Sequence, residues 1–267
     1  MKNRSLLLSL VSLVALLIAP LAANAQRHYS DDEGSFSERD EINQTYTLAS
    51  GARVEVRGIN GKVDIETGTG ATAEVHVVRL ARNREDLSYH KIFVEQTAGG
   101  GLVVRGEENK GRDYGDHQVR HQVTLRLPRT IELSVSGVNG RATVGAIEGP
   151  VQISGVNGAV EVAQAVGYAN LSGINGRVKV NIQRLSERGI HVSGINGGVE
   201  IGFAEDLNAD LEVTGINGRV NADVPNVTVM GKIERNSFRA KIGSGGTPII
   251  VNGINGSVKL TRGGISG

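Results

Sequence analysis

The sequence predicts an all-β protein: a single-stranded parallel β-helix, or β-solenoid, with 18–21-residue coils cornered at Gly-Ile/Val-Asn-Gly, preceded by a less regular β-rich half. Three observations predict it. The tetrapeptide occurs seven times, with later gaps of 18, 18, 21, 21 and 38 residues. Positions at fixed distances from its first glycine are apolar in every copy: Val56, Val135, Ile153, Leu171, Val192, Val213 and Val251 two before it, and Val63, Ala142, Val160, Val178, Val199, Val220 and Val258 five after it. Polar residues alternate between them, as Arg177 and Lys179 flank Val178, so each copy reads as two half-buried strands joined by a corner.

The corner residues are Gly58, Asn60 and Gly61; Gly137, Asn139 and Gly140; Gly155, Asn157 and Gly158; Gly173, Asn175 and Gly176; Gly194, Asn196 and Gly197; Gly215, Asn217 and Gly218; and Gly253, Asn255 and Gly256. Asn-Gly permits two readings. As a type I′ turn it would join hairpins into a meander or barrel. As the corner of a coil it would stack on the corner below, about 4.8 Å away, where asparagine amides can bond along a ladder. Columns that keep one residue type favour the second, because a meander gives its turns differing surroundings. The last gap, twice 19, leaves room for a degenerate copy, and Asn236-Ser237 with Phe238, Ala240 and Ile242 is the candidate.

In chain order, residues 1–25 read as a secretory signal peptide. Lys2 and Arg4 start it, Leu6 to Ile18 form the apolar run, and Ala23-Asn24-Ala25 is the cleavage site. Residues 26–41 are polar and acidic and are expected to be a disordered lead-in. Residues 42–130 form the irregular β-rich part, with candidate strands at Thr45 to Leu48, Arg53 to Arg57, Lys62 to Thr67, Ala73 to Leu80, Lys91 to Thr97, Leu102 to Arg105 and Val119 to Leu127. Arg82 to Tyr89 is a helical turn or a loop, and the charged, glycine-rich Gly106 to His117 is the loop where a specific ligand would be sought. Residues 131–267 are the regular coils, two of them lengthened at Leu185 to Gly189 and Phe203 to Leu207. The terminal coil's edge needs a cover from a loop or another molecule.

These features resemble the putative-adhesin family of β-strand-repeat proteins, domains of unknown function related to the head GIN adhesin-like domains. The resemblance runs from about Ile42 to the end, and the seven tetrapeptides are its specific part. It implies an extracytoplasmic β-helix-like protein with no established catalytic residues, so only the structural corners carry over.

Composition excludes several alternatives. With 29 basic against 28 acidic residues there is no electrostatic case for nucleic acid. No cysteine is present, so disulfides play no part. No nucleophile elbow, phosphate loop, zinc cluster or calcium repeat is found, and no catalytic residue, cofactor or metal site is predicted. His117 and His121 stand four apart but on a strand pattern, where a hydrogen-bonded histidine is expected for His121 rather than a ligand. The expected function is a non-catalytic, exported, adhesin-like scaffold of a bacterial envelope, periplasmic or secreted to the surface. Its partners would be an envelope protein or glycan, or a second copy at the solenoid ends, with no membrane span after signal cleavage. The alternative is a polysaccharide-acting β-helix enzyme using carboxylates such as Glu161 and Glu200. Aromatics for sugar stacking are scarce, at 3%, and Lys179 interrupts that column.

Overall fold

In a computed structural model, residues 36–108, 118–203, 207–224, 226–230 and 237–262 are described. The chain divides into two units, Met1–Glu33 and Gly34–Gly267, and all the described residues belong to the second. The stretch read as a signal peptide, most of the stretch read as a lead-in, residues 109–117 of the charged loop, and Asn236 therefore lie outside the described residues.

The period-two pattern becomes strand almost throughout. The first half holds β1 (Glu38–Thr47), β2 (Arg53–Ile59), β3 (Gly61–Gly68), β4 (Thr72–Ala81), the single-turn helix α1 (Asp86–Tyr89), β5 (His90–Gln96), β6 (Leu102–Glu108) and β7 (Val119–Pro128). The second holds β8 (Glu132–Val138), β9 (Ala142–Ile147), β10 (Val151–Val156), β11 (Val160–Ile174), β12 (Val178–Asn196), β13 (Val199–Phe203), β14 (Ala209–Ile216), β15 (Val220–Asp223), β16 (Val227–Val229), β17 (Ser237–Ile242), β18 (Thr247–Asn255) and β19 (Val258–Arg262). The fold is all-β, and its 19 strands form one sheet that curls into a nearly closed, barrel-like wall. β1 starts at Glu38, inside the stretch read as lead-in, because Glu38 to Thr47 pairs antiparallel with β4 over its whole length.

Repeats pair with repeats, in parallel and in register. Before the corner, Val56 pairs with Val135, Val135 with Ile153, Ile153 with Leu171 and Leu171 with Val192. After it, Val63 pairs with Ala142, Ala142 with Val160, Val160 with Val178 and Val178 with Val199. These side chains point inward at 0–2% exposure, so the apolar columns are the core itself. Burying each valine or leucine stabilises by about 1.5–3 kcal/mol, and one change in a column disturbs the levels on both sides. The step from 18 to 21 residues is absorbed locally. Gly167 pairs with Leu185 but Ala169 with Ile190, so the extra residues fall between Leu185 and Ile190, where Glu187 and Arg188 are exposed and Gly189 is buried.

Two expectations are corrected. Phe238, Ala240 and Ile242 do not form a degenerate parallel copy, since β17 runs antiparallel to both β14 and β16. The extra level is at the other end, where β6 and β7 lie parallel on β2 and β3, with Val104 against Val56 and Val123 against Val63. The second correction concerns order. The last repeat does not end the stack: β18 sits between β12 and β14, and β19 between β13 and β15. In space the corners therefore run 58, 137, 155, 173, 194, 253, 215. Antiparallel strands cover outer edges at both ends, β5 on β6, β4 on β7, β1 on β4, and β17 on β14.

Candidate binding surface

Each corner is built from two glycines with different reasons. The first has φ between +59° and +67° in all seven copies, a left-handed conformation that glycine adopts without strain. The asparagine after the apolar residue has no positive φ, which excludes the type I′ turn. The second glycine is a matter of contact. A Cβ on Gly140, Gly158, Gly176, Gly197, Gly256 or Gly218 would strike the carbonyl oxygen of the corner glycine one level down, and a Cβ on Gly61 would strike His121 O.

This close approach brings the asparagines into one ladder. Asn139 donates Nδ2–H to Asn60 Oδ1, Asn157 to Asn139 and Asn175 to Asn157, each at 3.0 Å. Asn196 donates to Asn175 at 2.8 Å, Asn255 to Asn196 at 2.9 Å and Asn217 to Asn255 at 3.1 Å. Asn60 ends the series by donating to Val119 O at 2.8 Å. All seven amides thus point their NH2 groups the same way. Asn217 at the other end presents an oxygen that accepts no hydrogen bond among the described residues.

Beside this ridge lie two polar faces. On the wall before the corner, Ser136, Ser154, Ser172 and Ser193 stack in register, followed by Asn252 and Thr214. The reordered last repeats interrupt the hydroxyl row. On the wall after the corner the row reads Asp64, Thr143, Glu161, Lys179, Glu200, Lys259, Asn221. Lys179 stands between Glu161 and Glu200, with Nζ 3.9 Å from Glu161. A carboxylate pair for glycoside hydrolysis needs free space between its members for sugar or water, and here a lysine occupies it.

The ladder's closed end holds one feature expected from the sequence, a hydrogen-bonded His121, and others that the sequence did not signal. His121, 2% exposed, lies where a lower corner would have a carbonyl, and its Nδ1 accepts the Asn60 N–H at 3.2 Å. Its Nε2 has no partner among the described residues. The His90 ring is 6.4 Å away. Burial first, then the charges of His90 and Arg79, push the His121 pKa down to about 4, so the ring is neutral and able to accept. No group of three metal-ligating side chains exists among the described residues. Further out, a groove of about 450 Å³ is lined by Glu38, Arg39, Asp40, Arg79, Arg84, Leu87, Ser88, Lys91, Ile92 and Phe93. Arg79 is committed to Asp40 and to the carbonyls of Leu87 and His90, and Arg39 to Glu41. Hydrogen bonding to Arg39 holds the Glu41 pKa below its usual value. On the bulged side, Arg188 lies 3.9 Å over the Tyr168 ring, whose centroid is 6.2 Å from that of His191.

No protein-family model and no curated protein matches the chain. Among solved structures, it is similar to a putative cell adhesion protein from Clostridium sporogenes, at 16% identity and TM-score 0.41 over 84% of this chain and 100% of that one. It is also similar to a putative adhesin from Bacteroides fragilis, at 10% identity and TM-score 0.37 over 83% and 97%. A putative adhesin from Parabacteroides merdae matches at 10% identity and TM-score 0.23 over 84% and 96%.

Proposed function

We propose that this chain is an exported, non-catalytic β-solenoid whose side walls bind a macromolecule, an envelope protein or glycan, in an adhesin-like role. On this reading residues 1–25 direct export, 26–41 form a lead-in, 42–130 the irregular part and 131–267 the regular coils. The seven Gly-Ile/Val-Asn-Gly corners are structural. The observation that carries the reading is the in-register stacking of polar residues along both walls, serines from Ser136 to Ser193 on one and opposite charges in alternation, Glu161, Lys179, Glu200 and Lys259, on the other. A surface that repeats its groups at each level suits a long or repetitive ligand, whereas catalysis needs one singular cluster. The lysine between Glu161 and Glu200 weighs against the glycan-cleaving alternative. No helix among the described residues is long and apolar enough to cross a membrane.

The test is co-sedimentation of the full mature chain with purified envelope polysaccharide and with outer-surface fractions, beside a variant carrying Ser154→Arg and Ser172→Arg. Saturable binding lost in the variant supports the proposal. Binding unchanged by the variant, or turnover of a small glycan without retention, contradicts it.

A further inference from the structure

We propose that Asn217-Gly218, at the open end of the asparagine ladder, is a site of spontaneous deamidation, while stacking protects the other six Asn-Gly pairs. Glycine after asparagine is the pair most open to this chemistry, because no side chain hinders the approach of the following amide nitrogen. The Gly218 nitrogen gives up its proton to hydroxide and bonds to Asn217 Cγ. The Cγ–Nδ2 bond breaks, and the nitrogen leaves as ammonia. Water then opens the five-membered imide at one of its two carbonyls and leaves aspartate or isoaspartate at position 217.

Three observations set this corner apart. Each of the other six asparagines both donates and accepts within the ladder, so its side chain must break two hydrogen bonds before it can turn toward its own backbone. Asn217 breaks one, to Asn255, and its own oxygen is bound by none of the described residues. Gly218 is exposed, whereas Gly61, Gly140, Gly158, Gly176, Gly197 and Gly256 are half-buried, because no further corner lies on top of it. The strand that follows is also less firmly held: β15 after Gly218 is four residues long and pairs with β19 alone among the described strands, whereas the strands after the other six corners pair on both sides.

The product is not neutral for the fold. A carboxylate loses the donor that binds Asn255 Oδ1, and isoaspartate lengthens the backbone where Gly218 already touches the Gly256 carbonyl. Deamidation therefore loosens the outermost level and leaves the stack beneath it intact, which makes position 217 a marker of the protein's age.

The experiment is incubation of the folded full chain at mildly alkaline pH, with peptide mass spectrometry at all seven corners, and a parallel incubation in denaturant. One additional hydrogen bond to break corresponds to roughly tenfold in rate. The expected result is conversion at Asn217 at least that much faster than at Asn139, Asn157, Asn175 and Asn196 in the folded chain, with the rates converging in denaturant. Equal conversion at the stacked corners in the folded chain overturns the proposal. So does a preference for Asn217 that persists undiminished in denaturant, since local sequence would then explain it.

Discussion

At the scale of single residues, the fold depends on which way a side chain points and on what lies one level away. Val178 is fully buried between Val160 and Val199, while Lys179 on the same strand faces out. Val178→Asp places an unpaired charge in the core and is expected to cost several kcal/mol in denaturant unfolding. Lys179→Asp is expected to stay within about 0.5 kcal/mol. Asn157→Ala removes one hydrogen bond given and one received, and because the ridge is exposed the expected loss is about 1–2 kcal/mol. His121 adds a pH dependence. Its folded pKa of about 4 lies below the free imidazole's 6.5, so above pH 6.5 the ring is neutral folded or unfolded and stability is at its full value. As pH falls from 6.5 toward 4 the unfolded chain takes up a proton that the folded chain refuses, and stability drops by on the order of 3 kcal/mol. His90 and Arg79 oppose protonation from the neighbouring elements. His121→Gln keeps an acceptor for the Asn60 N–H and is expected to flatten the unfolding free energy across that window.

At the scale of elements, some of what sequence reasoning missed had a signal and some had none. The level made of β6 and β7 had one: Val104-Arg105-Gly106 repeats Val56-Arg57-Gly58, and Gly106 does stack on Gly58. The resemblance stops there because a charged loop replaces Ile-Asn-Gly. Gly106→Ala, whose Cβ would meet the Gly58 carbonyl, is expected to destabilise by about 2 kcal/mol or more, while Gly99→Ala, with open space around it, is expected to be silent. A thermal melt of the two variants checks this, and equal melting temperatures would remove β6 from the stack. The apolar columns were legible because each repeat states them again. The strands β4 and β17 were legible from their alternation, but the antiparallel pairing of β1 with β4 and of β17 with β14 and β16 was not, since a pairing such as Asp40 with Arg79, some forty residues apart, leaves no mark in local periodicity. For the same reason the groove lined by Arg79, Arg84 and Lys91, and the Tyr168, Arg188 and His191 group, went unseen.

At the scale of the whole molecule, the chain visits its levels out of order at both ends. It lays down β2 and β3, goes outward to β6 and β7, and returns to β8. At the far end it goes outward to β14 and β15 and returns inward to β18 and β19. Sequence could not rank these neighbours, because Val213 and Val251, or Asn217 and Asn255, offer equivalent edges to the level carrying Val192 and Asn196. The arrangement places the last regular repeat between two others, where both its edges are paired. It leaves the outer edges of β6, β7 and β14 to antiparallel strands, while β15 pairs with β19 alone among the described strands.

The most direct measurement of this stacking is disulfide cross-linking in a chain that has no cysteine of its own. Partners on adjacent parallel strands lie about 4.8 Å apart and can be bridged, whereas partners two levels apart, at about 9.6 Å, cannot. The account predicts that Ser193→Cys with Asn252→Cys oxidises to an intramolecular disulfide, and that Ser193→Cys with Thr214→Cys stays reduced. Cross-linking of the second pair with none in the first would mean that the repeats stack in the order of the sequence, and the architecture described above would be wrong.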